Sequence, residues 1–295
     1  MSSQHVGDAV TVRFFMPSPA LAPYISTYYL TEVRGAAGTT VQDWLHPEWA
    51  NVRLTHTPNW QAAIGNEALR EPAAMIGTGP TCQATHFITG PARIWGIGVL
   101  PLGWARLCSG EAAHHADQFT DARTDPTYAA FTPLYDLTFT DQSDPAAEAA
   151  RIDAYLLEEL GRRPTSEDEP RIRAAHGALL DNEVATVGDL ADRLALSPRS
   201  LERLSLKAFG FSPKLLLRRQ RFLRSLAQFM LDPSLTWIRT LDWQYVDQAH
   251  FVRDFKRFMG MSPSAYAQLD HPVLRAAAQA RAAAAGAAVQ ALHQP

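Results

Sequence analysis

Two stretches near the C-terminal end decide how the chain reads: SPRSLERLSLKAFGFSP, Ser197–Pro213, and DQAHFVRDFKRFMGMSP, Asp247–Pro263. Aligned at an offset of fifty residues they differ at most positions, yet share Arg203/Arg253, Gly210/Gly260, Ser212/Ser262 and Pro213/Pro263. The shared types mostly fix backbone geometry. Ser197 and Asp247 are N-cap residues, whose side-chain oxygens accept from the exposed amides of a first helical turn. A glycine at the far end takes the left-handed conformation that stops a helix. Ser-Pro then restarts one, as a cap followed by a proline whose missing N–H is no loss at the first position. Each stretch therefore predicts one short helix, a stop, and the start of another.

The flanking sequence extends this frame. Thr186, with Asp189 three residues on, predicts a capped helix with Leu190, Ala191, Leu194 and Ala195 as its apolar stripe. Leu201 and Leu204 face inward on the next helix, and the small Ala191 suits a close helix crossing. In the second copy Trp237, Ile238 and Leu241 belong to a leading helix, and Phe251, Phe255 and Phe258 form the inward face. The last helix runs through Tyr266. Two short helices joined by a tight turn, the second basic and capped, form a helix-turn-helix layout. Between the copies, residues 213–231 read as one long amphipathic helix, with Leu216, Phe222, Leu223, Leu226 and Phe229 or Met230 buried. Such a spacer fixes the separation of two recognition helices, which suits successive major grooves of B-DNA, one turn of about 34 Å apart.

Charge agrees with a polyanion partner. Residues 1–180 carry 12 Lys and Arg against 20 Asp and Glu, whereas residues 181–295 carry 15 against 10. Between Ser197 and Ser225 eight cations face Glu202 alone.

The first 110 or so residues read differently. TVRFFM, ISTYYLTEV, TVQDWL, NVRLTH, TCQATHFITG and RIWGIGVL are rich in β-branched and aromatic residues and are punctuated by Gly and Pro. The expectation is an α+β chain: a β-rich sandwich or small barrel, then an all-α double helix-turn-helix domain. A helix follows Pro145, with Ile152, Tyr155, Leu156 and Leu160 on one face. RPTSEDEP, Arg163–Pro170, is the best boundary. The expected division is a β-rich regulatory domain over 1–165, a DNA-binding domain over 175–270 and an Ala-rich low-complexity tail over 271–295. Within the middle part the helix-turn-helix units fall at about 186–210 and 235–260.

The second copy resembles the AraC/XylS family of bacterial transcription regulators, in the order D-Q-x-H-F-x-R-x-F-K-R-x-x-G-x-S-P-x-x-Y from Asp247 to Tyr266. The likeness covers roughly residues 180–268 and implies seven helices with the 213–231 helix as linker. It implies base-reading positions at Arg199, Glu202 and Arg203 in the first copy and Gln248, Ala249, Val252 and Arg253 in the second. Arginine suits guanine O6/N7, glutamine suits adenine, and small apolar side chains suit the thymine methyl. Ser197, Lys207, Lys214, Arg218, Lys256 and Arg257 are the phosphate candidates, on the frame of Ala191, Gly210, Pro213, Gly260 and Pro263. His250, beside core Phe251, reads as structural. The chain departs from the family pattern at Gln244-Tyr245, where Gly-Phe is usual, at Thr240, where Ala is usual, and at Ser205, where an aromatic is usual. WLHPEWANVRL and RIWGIGVLPLGWARL resemble the β-rich sensor domains attached to such regulators. The partners this implies are double-stranded DNA, with RNA polymerase, a small effector and a second copy of the chain as further expectations.

Other chemistry finds little support. His114, His115 and Asp117 are too close in sequence to converge on a metal, and Cys82 and Cys108 supply neither a zinc quartet nor a disulfide framework. No nucleotide-binding or hydrolase motif occurs, so no cofactor, metal or catalytic residue is expected. Trp44, Trp60 and Trp95 read either as core or as the lining of an effector pocket. The absence of a signal-like N-terminus and of any ~18-residue apolar run points to the cytoplasm and away from membranes. The competing reading is a ligand-binding or enzymatic N-terminal domain whose helical partner is a protein-interaction module.

Overall fold

A computed structural model of the protein describes residues 9–36, 38–56, 60–139, 144–231 and 241–285. The leading helix expected for the second module, with Trp237, Ile238 and Thr240, lies outside the described residues, as does the chain beyond Ala285.

Among the described residues the N-terminal half holds nine strands: β1 (Val10–Phe15), β2 (Ile25–Val33), β3 (Val41–Leu45), β4 (Ala50–Thr55), β5 (Trp60–Ile64), β6 (Met75–Thr78), β7 (Thr85–Thr89), β8 (Ala92–Val99) and β9 (Phe119–Asp121). They form two antiparallel sheets, ordered β1-β2-β8-β4-β6-β9 and β3-β7-β5. Strands β5, β6 and β9 were not read from the sequence. WQAAI is diluted by alanine, MIGT contains a glycine, and FTD is only three residues long.

Strand alternation divides the larger sheet into two working faces. Tyr28, Leu30, Val52, Leu54, Trp95, Ile97 and Val99 point to one side, into a cluster shared with α1 (Pro101–Leu107), α2 (Leu134–Thr138) and α3 (Pro145–Arg162). Their neighbours Thr27, Tyr29, Asn51, Arg53, Ile94 and Gly98 point to the other side, toward the smaller sheet. Gly96 is required here, because a Cβ at that position would lie 1.9 Å from the Tyr29 ring. On the helical side the fully buried Glu148 of α3 is satisfied by the Arg93 guanidinium and by the Trp95 indole at 2.9 Å.

The C-terminal half consists of α4 (Glu169–Leu180), α5 (Val187–Leu194), α6 (Pro198–Phe209), α7 (Pro213–Leu231), α8 (Gln248–Met259), α9 (Pro263–Ala267) and α10 (Pro272–Ala285). The capping reading holds atom by atom. Thr186 and Asp189 close a reciprocal capping box. Ser197, Asp247 and Ser262 each accept from the amide three residues on. Gly210 and Gly260 are left-handed, at φ of 82° and 71°. Ala195 leaves its expected stripe: it is exposed and left-handed, with φ of 50°, and makes the turn between α5 and α6.

RPTSEDEP does separate α3 from α4, but the two halves share a single hydrophobic core. Glu169 at the start of α4 pairs with Arg106 of α1 and accepts from the Tyr24 hydroxyl. Within the Ala-rich, low-complexity segment, Pro272–Ala285 folds as α10 and packs on β1 and β3. Among the described residues no helix is long and apolar enough to cross a membrane.

His176 of α4 is buried against Trp49 at 5.3 Å between ring centroids. Burial, reinforced by the Arg219 charge, pushes its pKa down to about 4. The folded value lies below the unfolded one, so as pH falls from about 6.5 the unfolded chain takes up the proton first and stability is lost toward pH 4. We expect denaturant unfolding to lose on the order of 2–3 kcal/mol across that window, and His176→Leu to remove that share of the acid limb.

Candidate functional site

Each capped basic helix presents a free face. On α6, Arg199, Glu202 and Arg203 are exposed, while Leu201, Leu204, Ser205 and Ala208 are buried. On α8, Gln248, Ala249 and Arg253 are exposed and Val252 is partly so, while Phe251, Phe255 and Phe258 are fully buried. Ser205, where an aromatic was expected, is buried. Ala191, Pro213 and Pro263 are buried at the turns that set these helices. Trp243 and Val246, exposed at 71% and 88% just before α8, were not singled out from the sequence.

Apart from Arg219, buried over the Trp49 ring, the arginines of this half described here fall into two sets. Arg193 pairs with Asp181 at 2.9 Å, Arg224 with Asp242 at 2.5 Å and Arg275 with Asp270 at 2.7 Å. Asp254, fully buried on α8, takes Arg218 at 2.5 Å and Arg221 at 3.4 Å from α7, together with the Tyr245 hydroxyl at 3.1 Å. Arg218 was expected to reach phosphate; here it is committed to Asp254, because a buried carboxylate must be matched. Lys207 likewise pairs with Asp168, at 2.7 Å. By contrast Arg199, Arg203, Lys214, Arg253, Lys256 and Arg257 have no ion pair among the described residues and are exposed. His250 contacts Arg221 at 3.2 Å and stacks edge-on to Tyr245, a structural placement.

The two sheets enclose a cavity of ≈ 190 Å3. Trp60 lines it, as does Trp49, which was not assigned there from the sequence. Trp44 and Trp95 do not line it. Trp95 belongs to the opposite face of its sheet, and Trp44 stacks on His86 at 4.4 Å. The polar end holds Glu48, whose carboxylate pairs with Arg53 at 2.5 Å, and Tyr29, whose hydroxyl meets Asn51 Oδ1 at 3.0 Å. Burial pushes the Tyr29 phenol up to about 12. The remaining lining is mostly apolar, from Val12, Phe14, Ile76, Phe87 and Ile94.

Asp117 holds a turn: its carboxylate accepts from the Cys82 and Gln83 amides and from the Cys82 thiol at 3.0 Å. Burial first, then Asp117, pushes that thiol up to about 12, which disfavours a thiolate. His115 contacts Thr127 at 3.2 Å instead of converging with Asp117.

Residues 190–268 match a family model described as a helix-turn-helix domain. No curated protein matches the chain. Among solved structures, ToxT from Vibrio cholerae is 9% identical, with 88% of this chain and 97% of that chain covered at a TM-score of 0.42. ToxT bound to (E)-4-(8-methylnaphthalen-1-yl)but-3-enoic acid is 10% identical, covering 88% and 97% at 0.44. The AraC-like transcriptional activator CuxR is 14% identical, covering 76% and 89% at 0.24.

Asp254 provides a direct test of how the α7–α8 pair is held. Asp254→Ala leaves Arg218 and Arg221 without their buried partner. It is expected to cost about 3 kcal/mol in urea unfolding, with α8 among the first segments to lose amide protection.

Proposed function

We propose that the chain is a DNA-binding transcription regulator whose helix-turn-helix domain, matched over residues 190–268, reads DNA through both of its modules. In this reading α6 and α8 enter successive major grooves, with a ligand in the β-rich half setting their activity. The observation that carries the reading is the sorting of arginines. Arg218, Arg221 and Arg224, partly buried on α7, each pair with a carboxylate, whereas Arg199, Arg203 and Arg253 stand exposed without an ion pair among the described residues. Unpaired arginines beside a helix N-terminus are the groups that reach base edges and phosphates.

The modules have different contents. Arg199, Glu202 and Arg203 favour G·C-rich contacts in one half-site; Gln248, Ala249 and Val252 favour adenine and the thymine methyl in the other. A single chain would thereby read an asymmetric site. Lys214, Lys256 and Arg257 would supply phosphate neutralisation, together with Ser197 at the α6 N-terminus. The cavity supports the regulatory half of the reading, since a mostly apolar pocket with a few fixed polar groups is the usual form of a small-molecule site.

Fluorescence anisotropy with operator-containing fragments tests this. Binding should weaken steeply between about 50 and 200 mM salt, and absence of salt-sensitive binding at the lower value would sink the reading. Arg253→Ala should relax preference at one or two base pairs at a cost of about 1–3 kcal/mol. Lys256→Ala should weaken every sequence alike and lower the salt slope by about 1.

A further inference from the structure

The turn that leads into α8, residues 242–247, contains no glycine and is held by its own side chains. Asp242 accepts from Arg224 Nε at 2.5 Å and from the Gln244 amide at 3.0 Å, and its own amide donates to the Ser225 hydroxyl of α7 at 2.8 Å. Gln244 Nε2 donates to the Asn182 carbonyl, between α4 and α5, at 2.7 Å. Tyr245 is buried, with its hydroxyl on Asp254, its ring edge-on to Phe251 and the Arg221 guanidinium 4.6 Å from its centroid. Asp247 then caps α8 by accepting from the His250 amide at 2.6 Å.

With those residues tied inward, Trp243 and Val246 are left outside. Among the described residues Trp243 is the largest of the exposed apolar side chains and Val246 the most exposed of them. An apolar residue directly before an N-cap commonly folds back on the fourth helical position. Here that position is Phe251, fully buried and packed on Tyr245, while Val246 stays in the open.

The pair continues the base-reading side of α8. Ala249 and Val252 lie three residues apart on one helical face, and Val246 stands three residues before Ala249, off the N-terminal end of that face. This end of a recognition helix meets the base edges, and the major groove is where thymine presents its methyl group. Apolar side chains fixed there match the apolar parts of DNA, thymine methyls and deoxyribose carbons, and not its phosphates.

We infer that Trp243 and Val246 extend the second reading module, with Val246 packed on the methyl of a thymine next to the base pairs met by α8 and Trp243 laid over an adjacent deoxyribose. The inference rests on the reading of α8 as a DNA-recognition helix. It adds a contact, made from the turn before that helix, which carries sequence preference without a hydrogen bond.

Full-length protein would select its preferred duplex from a randomised pool at about 50 mM salt, and each thymine of that duplex would then be replaced singly by uracil, which lacks only the methyl group. One thymine close to the base pair relaxed by Arg253→Ala should lose about four-fold in affinity on replacement, the worth of one buried methyl. Val246→Ala should bind the two duplexes alike, with an unchanged melting temperature. Trp243→Ala should weaken every duplex about five-fold and leave the salt slope unchanged, because sugar contacts carry no sequence information and release no counterions. No uracil effect near that base pair, an effect that survives Val246→Ala, or wild-type affinity in Trp243→Ala would each overturn the inference. If both variants bind DNA as the wild type does but fail to stimulate purified RNA polymerase, the pair docks the polymerase instead. Salt-sensitive binding with neither variant altered leaves the reading of α8 standing; no binding by the wild type removes both.

Discussion

A carboxylate wholly inside the protein holds the two halves in one arrangement. Asp43 sits on the middle residue of β3 and is fully buried. Such a charge costs several kcal/mol to desolvate unless its lone pairs are filled. Here they are: Oδ1 takes the Trp44 amide at 2.8 Å and faces His271 Nδ1, while Oδ2 takes the two leading amides of α10. Those amides are among the donors a helix start leaves unmet, and the positive helix end favours a negative charge there. The strand needs the helix to satisfy its acid, and the helix needs the strand to satisfy its amides. Each fills the other's unmet groups, so the helix-turn-helix module that precedes α10 is tied to the sheet that walls the cavity.

The opposite junction is chemically different. Arg219 of α7 is also fully buried, but it faces the Trp49 ring at 4.1 Å, and its three nitrogens have no hydrogen-bond partner among the described residues. A ring face offsets only part of what a buried guanidinium loses, and burial lowers its pKa to about 10. Among the contacts that join the halves, the one through α10 is thus ionic and saturated, whereas the one through α7 is under-satisfied.

What the sequence disclosed and what it hid follow from the range of the interactions concerned. Caps and stops are local: Ser197, Asp247, Gly210 and Gly260 act within three or four residues, and each appears where its chemistry requires. The cavity lining is a matter of strand facing: β4 alternates Ala50, Val52 and Leu54 with Asn51, Arg53 and Thr55, yet all six are buried, so the polar face reads as a solvent face when it lines a cavity. Trp95 and Trp49 could not be told apart without knowing that Glu148, 53 residues from Trp95, waits on the helical side. Arg218 looked like its exposed neighbours because its partner lies 36 residues away. The Ala-rich segment carried the weakest signal, since its cap is supplied by a residue 230 positions earlier.

The anchoring also explains why the two copies share a frame. Both recognition helices are fixed at their C-terminal ends. The Gly210 turn is packed so tightly that a Cβ there would lie 2.6 Å from Pro80 and 3.3 Å from the Ala112 carbonyl. At the end of α8 the Phe258 carbonyl accepts from the Ala84 amide at 2.7 Å. Arg199 and Gln248, in the first turn of each helix, stay exposed, and a recognition helix meets base edges with its N-terminal residues. Each helix therefore meets the β-rich half at or beside its stop: Gly210 itself packs on Pro80, and Phe258, two residues before Gly260, accepts from Ala84. Fastening constrains the turn and leaves the first turn unconstrained, which is why Gly and Ser-Pro recur fifty residues apart while the exposed residues between them do not.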